Sequence, residues 1–216
     1  MVRLLSIGIE CFSSMVFIIP AIIILQYALF KQCSFGKIFM VFIFSFYSMA
    51  VFSAVGIPTA YTLRVDLSFN LIPLIDIFSS PAEYIKNTIL NILLFIPMGF
   101  LLPAIWKEYR PIKKTVLMGL LVSVIIELLQ IFTFRLSDID DLITNTLGTF
   151  LGYYCGKMFS YKLPFKITTN DENISVKCEP IIILITIFLI AFFLKPLVSN
   201  EIWDIVLSGS LWESIK

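Results

Sequence analysis

Residues Ile181–Val198 read IIILITIFLIAFFLKPLV, a run in which Lys195 is the one charged side chain. A helix needs about 20 predominantly apolar residues to cross the roughly 30 Å hydrocarbon core of a bilayer. Five other stretches have comparable length and apolar character: Ile7–Phe30, Ile38–Ala60, Thr88–Trp106, Thr115–Phe134 and Leu142–Phe159. The sequence therefore predicts an all-α, polytopic membrane protein, a bundle of about six transmembrane helices.

The overall composition supports a membrane protein. Of the 216 residues, 59% are hydrophobic and 14% are charged, and the mean hydropathy is +0.96. Soluble domains are about 45–50% apolar and about 25% charged, so a soluble fold could not cover this much apolar surface. No polar linker divides the chain, which predicts a single membrane domain over residues 1–216. Residues 1–60 would form two N-terminal helices, and residues 180–216 the last helix with an external interfacial tail.

Charge and residue counts exclude several classes of function. The net charge of +1 provides no basic excess and thus no indication of nucleic-acid binding. The chain has no histidine, which excludes Ser-His-Asp catalysis and histidine metal sites. Its four cysteines form no CxxC pair, so the spacing favours neither a zinc site nor a redox motif.

Loop charges predict the orientation in the membrane. Lys and Arg accumulate in short cytoplasmic loops of membrane proteins. The densest basic stretch is Lys107–Lys114, and Lys31 and Lys37 follow the first predicted helix. If these loops are cytoplasmic, both termini are extracellular.

A charged side chain inside a transmembrane segment suggests a functional role. Glu127 lies within the fourth predicted helix, and Ser123 and Gln130 share its face at 100° per residue. Because burial of an unpaired carboxylate is costly, Glu127 is a candidate ligand-binding or catalytic residue. For Gln130, ligand contact and an interhelical hydrogen bond are equally good explanations.

A second polar cluster lies between the fourth and fifth predicted helices. It contains Arg135 and the carboxylates Asp138, Asp140 and Asp141. In a helix that begins near Asp138, the side chains of Asp138, Asp141 and Asn145 share one face, whereas Asp140 points elsewhere. Arg135, Asp138, Asp141 and Asn145 are therefore candidate ligand-binding residues, and Asp141 is a second catalytic candidate. Acidic residues also favour the first turn of any helix, which is the structural alternative.

Small residues continue along the same face of the fifth predicted helix. Gly148, Gly152 and Gly156 recur at four-residue spacing, a pattern that lets a second helix approach closely. In the third predicted helix, Asn91 is a candidate ligand-binding residue that could also bond to a neighbouring helix. Pro97 lies six residues beyond Asn91 and predicts a kink.

Four motifs follow one another in the central part of the chain. They are Asn70-Leu-Ile-Pro-Leu, Asn91-x3-Phe95-Ile-Pro97-Met-Gly99, Glu127-x2-Gln130, and Arg135-x2-Asp138-x2-Asp141-x3-Asn145-Thr-x-Gly148-x3-Gly152. Their order and spacing resemble the VanZ-like family, whose core would cover residues 70–156. Pro97 and Gly99 would be structural residues of that core. Typical members are shorter by one N-terminal helix, so the first predicted helix is a departure from the family pattern.

The resemblance implies a cytoplasmic-membrane protein of the bacterial envelope, mainly in Gram-positive bacteria, that lowers susceptibility to the glycopeptide teicoplanin. One hypothesis is a non-catalytic factor that binds a membrane lipid, a lipid-linked cell-wall precursor or the lipoglycopeptide itself at the outer leaflet. Arg135 would then bind a phosphate or carboxylate of the head group.

The alternative hypothesis is an intramembrane enzyme that modifies a lipid or a cell-wall precursor. Glu127 would serve as general base, and Asp138, Asp141 and Asn145 would hold a divalent cation through oxygen ligands. The sequence itself predicts no cofactor, and the divalent cation belongs to this alternative only. Transport is less favoured, because the chain shows no evident inverted repeat.

Overall fold

The computed structural model describes residues 2–31, 34–63, 69–70, 77, 80–133, 137–160 and 178–208. Long helices dominate these residues. We number the helices and strands in chain order: α1 Val2–Ile24, α2 Phe35–Val55, β1 Phe69–Asn70, α3 Pro81–Ile105, α4 Ile112–Gln130, β2 Ser137–Asp138, α5 Ile139–Ser160, α6 Glu179–Leu189 and α7 Lys195–Ser208. A π-helical segment, Leu25–Leu29, continues α1, and another, Ile190–Leu194, joins α6 to α7.

The helical content confirms the predicted all-α fold class, and each of the six predicted spans lies largely in a helical segment. Helix α2 ends at Val55, before the predicted Ala60, and α4 ends at Gln130, before the predicted Phe134. Among the described residues, four helical segments are long and apolar enough to cross a membrane: Leu5–Leu29, Phe35–Val55, Pro81–Ile105 and Glu179–Val206. The other two long helices, α4 and α5, carry the charged and polar residues that the sequence analysis selected as candidates. The chain is therefore a multi-pass membrane protein in which the most polar helices hold the candidate site.

Local sequence accounts for several helix ends. Proline is favoured at the first position of a helix, and α3 begins at Pro81. Helix α2 ends at Gly56, whose φ of 71° lies in the left-handed region that glycine adopts without steric cost. At the start of α5, Asp138 Oδ1 accepts a hydrogen bond from the backbone N–H of Asp140 at 3.0 Å. This contact satisfies one of the backbone donors that a helix leaves unpaired at its N-terminus.

The contacts divide the chain into two compact units, and the single membrane domain expected from the sequence stays a prediction. Unit 1 comprises Met1–Leu63 with Ile174–Lys216, and unit 2 comprises Arg64–Asn173. Unit 1 therefore contains α1, α2, α6 and α7, while unit 2 contains α3, α4, α5 and the paired strands.

The described residues of unit 1 include two ion pairs that join different helices. The Lys37 Nζ lies 2.7 Å from Glu179 Oε2, and both side chains are almost completely buried, at 1% and 0% exposure. Gln26 in the first π-helical segment donates from Nε2 to the other oxygen of Glu179 at 2.8 Å. Lys195 pairs with Glu10 at 2.8 Å. Each pair joins separate helical segments and so links the helices of this unit.

Within unit 2, α3 and α5 form the closest helix pair through the glycine stripe of α5. An ideal Cβ placed on Gly148 would lie 2.3 Å from the carbonyl oxygen of Ile92, and one on Gly152 would lie 2.0 Å from that of Ile96. On the opposite side, a Cβ on Gly99 of α3 would lie 1.9 Å from the carbonyl oxygen of Thr149. The two backbones touch, which only glycine permits, and this contact brings the N-terminal turns of α3 and α5 together.

Candidate functional site

Two side-chain hydrogen bonds join α4 to the start of α5. Glu127 Oε2 accepts the backbone N–H of Asp138 at 3.0 Å, and Asn145 Nδ2 donates to Ser123 Oγ at 2.9 Å. The residue on α4 moves from Glu127 to Ser123 as its partner moves from Asp138 to Asn145. The two helices are therefore antiparallel. Glu127 is 6% exposed and Asn145 3% exposed. The polar face predicted for α4 is therefore buried against the N-terminal half of α5.

A third hydrogen bond ties α5 to α3. Asn91 Nδ2 donates to Asp141 Oδ1 at 2.6 Å. An amide that donates to an ionised carboxylate forms a charge-assisted hydrogen bond, which is shorter and stronger than a neutral one. The first turn of α5 is thus held from two sides, by Glu127 on α4 and by Asn91 on α3.

Strand β1 also lies in this region. Strands β1 and β2 pair in parallel, with Phe69 opposite Ser137 and Asn70 opposite Asp138. The backbone of Asn70 therefore lies beside the residue that caps α5.

A polar cavity of about 260 Å³ opens where the first turns of α3 and α5 meet. Every described residue along its wall is polar or charged, and the set comprises Ser80, Glu83, Tyr84, Asn87, Thr88, Asp138, Asp140, Asp141 and Thr144. Four of these nine carry carboxylates. The described wall therefore offers carboxylate, amide and hydroxyl groups to a ligand.

Asp138 and Asp141, predicted from the sequence as ligand-binding residues, line this cavity. Asp140, which the sequence analysis expected to point elsewhere, lines it too and is 6% exposed. The expectation treated Asp138 as part of the helix, whereas α5 begins only at Ile139. Within α5, the side chains of Asp140, Asp141 and Thr144 lie within about 100° of one another, and Asp138, which precedes the helix, is not bound to that rotation.

Four other predicted residues lie in the helix interfaces and are not among those that line the cavity: Asn91, Glu127, Gln130 and Asn145. Gln130 is 5% exposed, and its Oε1 has no hydrogen-bond partner among the described residues; the same holds for Asn145 Oδ1. Arg135, the predicted anion ligand, lies outside the described residues. The predicted site thus divides into a cavity wall and a supporting layer of interhelical hydrogen bonds.

The α3 side of the cavity was largely missed by sequence reasoning. Glu83 and Asn87 stand four residues apart on α3, and Tyr84 and Thr88 repeat that spacing. Polar residues at i and i+4 on a helix lie on one face, so this stripe was a readable signal. On this helix the sequence analysis selected only Asn91 as a candidate ligand-binding residue.

The alternative hypothesis includes a divalent cation held by side-chain oxygen ligands. Within the part of the chain that the structure describes, no group of three or more Asp, Glu or Cys residues is arranged to hold a metal ion. Each cavity aspartate also has a structural contact: Asp138 caps α5, Asp141 accepts from Asn91, and the backbone carbonyl of Asp140 accepts from Thr144 Oγ1 at 2.8 Å.

Comparison with known proteins gives two matches. A family model described as VanZ/LLP1 matches residues 17–160, a range that includes α3, α4, α5 and the whole cavity. Protein VanZ of Enterococcus faecium is 32% identical over 128 residues, which cover 59% of this chain and 70% of that protein. No solved structure matches the chain.

Proposed function

The chain belongs to the VanZ/LLP1 family, and from this membership we propose that it contributes to resistance against teicoplanin-type lipoglycopeptides in the bacterial cytoplasmic membrane. It would act by binding a lipid-linked or lipid-tailed molecule at the outer leaflet. The observation that carries the proposal is the acidic cavity between the first turns of α3 and α5.

The chemistry of the cavity favours a particular kind of head group. Carboxylates accept hydrogen bonds, and the Tyr84 hydroxyl and Asn87 amide can donate as well as accept. Sugar hydroxyls or an ammonium group would satisfy the described groups of this wall. Small-molecule sites typically have volumes of about 300–1,000 Å³. A cavity of about 260 Å³ would therefore hold one head-group fragment and leave the rest of the ligand outside.

Helix α3 also exposes an apolar stripe. Ile85, Ile89 and Leu93 follow one another at four-residue spacing on α3 and are 53%, 51% and 55% exposed. At 100° per residue, this stripe lies on the face of α3 turned away from Glu83 and Asn87. It therefore marks the lipid-facing side of α3, away from the cavity.

The orientation argued from loop charges places the loop between α4 and α5 outside the cell. The cavity would then open at the outer leaflet, where a glycopeptide or an exported cell-wall precursor is accessible. A catalytic role for Glu127, the alternative hypothesis, would require that side chain to reach the substrate, and Glu127 is not among the cavity-lining residues.

The proposal is tested by protection of a susceptible Gram-positive host against teicoplanin and against vancomycin, which lacks the fatty-acyl tail. Wild type is expected to protect more strongly against teicoplanin. Glu83→Gln and Asp140→Asn remove one cavity charge each and are expected to lose protection at normal membrane abundance. The matched control is Glu201→Gln, which removes an exposed carboxylate from α7 and should protect like wild type.

Two outcomes would contradict the proposal. Full protection by both cavity variants would show that the cavity does not bind the relevant molecule. Equal protection of the host against both drugs would show that the protein does not recognise the acyl tail. Binding of teicoplanin to the purified protein in lipid nanodiscs gives a second readout that does not depend on the host.

A further inference from the structure

We propose that Glu127 is a positioning residue, whose carboxylate sets the cavity aspartates in place by holding the backbone of Asp138. The inference rests on the proposed function in one respect: the aspartates that Glu127 positions are those of the proposed binding wall. In this role, the side chain of residue 127 must place a hydrogen-bond acceptor at the distance that glutamate reaches. The acceptor does not need to carry a negative charge.

Two consecutive hydrogen bonds carry the argument. Glu127 Oε2 accepts the N–H of Asp138 at 3.0 Å, and Asp138 Oδ1 in turn accepts the N–H of Asp140 at 3.0 Å. The first bond fixes the residue that caps α5, and the second fixes the first turn of α5. Glu127 thereby acts on the cavity through Asp138, from a position that is 94% buried and outside the cavity wall.

The placement of these groups explains why a buried acceptor is needed there. The first N–H groups of a helix have no partner within the helix, and an unpaired donor inside a membrane protein is costly. The N–H of Asp138 precedes the first turn of α5, so the side chain of Asp138 cannot cap it. An acceptor from the neighbouring helix satisfies this donor and at the same time fixes the distance between α4 and the start of α5.

The hydrogen bond to Asp138 needs an acceptor at the reach of a glutamate side chain. A glutamine would keep the length of the side chain and an amide oxygen as acceptor, and it would remove the charge. An aspartate would keep the charge but withdraw the carboxylate by one methylene, about 1.5 Å.

These two conservative variants separate the positioning role from a chemical one. Glu127→Gln is expected to protect against teicoplanin like wild type, and Glu127→Asp to lose protection although it is present in the membrane. Hydrogen–deuterium exchange of a peptide that covers residues 137–142 gives the local readout. Exchange should be about tenfold faster in Glu127→Asp and unchanged in Glu127→Gln, since loss of one hydrogen bond of about 1.4 kcal/mol corresponds to tenfold.

The opposite pattern would overturn the inference. If Glu127→Gln loses protection with a wild-type exchange pattern while Glu127→Asp keeps it, the charge itself is required and Glu127 acts on the ligand. If Glu127→Asp leaves exchange of residues 137–142 unchanged, the hydrogen bond does not position this segment. The exchange readout is independent of drug protection. Failure of the Glu83→Gln test would therefore refute the proposed function without deciding the role of Glu127.

Discussion

Gly152→Ala tests the contact that brings α3 and α5 together. The substitution adds one methyl group, whose carbon would lie 2.0 Å from the carbonyl oxygen of Ile96 and 2.8 Å from its carbonyl carbon. Carbon–oxygen contacts between packed backbones are about 3.3–3.6 Å long. The obstructing atoms belong to the backbone and no side chain can turn away, so the two helices must separate by more than about 1 Å.

The expected loss of stability follows from two opposing effects. Overpacking of a close-packed interface costs about 1–3 kcal/mol. Replacing a helical glycine by alanine returns about 1 kcal/mol through helix propensity. The expected net change is a destabilisation of up to about 2 kcal/mol relative to wild type, and of about 1–3 kcal/mol relative to a Gly→Ala change that meets no obstruction. The cavity should also widen, because the same contact sets the distance between the first turns of α3 and α5.

Two further glycines provide matched controls for thermal unfolding of the purified protein in detergent. Gly8 in α1 has no atom within 4 Å of an ideal Cβ, so Gly8→Ala should be neutral or stabilising. For Gly156 the nearest atom is Phe100 Cδ2 at 3.2 Å, an atom of a side chain that can move, so its substitution should cost less than that of Gly152. Equal stability of Gly152→Ala and Gly8→Ala would refute the close approach of α3 and α5.

Two predictions concern the orientation and unit 1. In intact cells, Cys in place of Lys113 should be shielded from an impermeant thiol reagent and Cys in place of Ser137 should be labelled; the reverse pattern would invert the orientation argued from loop charges. Lys37→Met leaves the buried carboxylate of Glu179 without its cation and should cost about 3–5 kcal/mol, measured as unfolding free energy. The double variant Lys37→Met/Glu179→Gln should recover most of the lost unfolding free energy. If the losses of the two single variants simply add in the double variant, the two side chains are not coupled.

The supporting layer of the site was partly readable from the sequence. Ser123, Glu127 and Gln130 were placed on one face of α4 because helix geometry determines which side chains of one helix lie together. Their partners on α5 were not readable, because periodicity carries no information about how far one helix is shifted along another. The structure supplies that register through the contacts of Glu127 with Asp138 and of Ser123 with Asn145.

The sequence alone determined the membrane-spanning fold, since a bilayer requires long apolar helices and the chain contains six such stretches. It also identified the small-residue stripe from Gly148 to Gly156, because the pattern depends only on spacing within one helix. Only the tertiary structure decided that Asp140 and Glu83 share a cavity and that Glu127 holds the backbone of Asp138. These relations join the ends of different helices, and the packing of α5 on α3 and α4 determines where those ends meet.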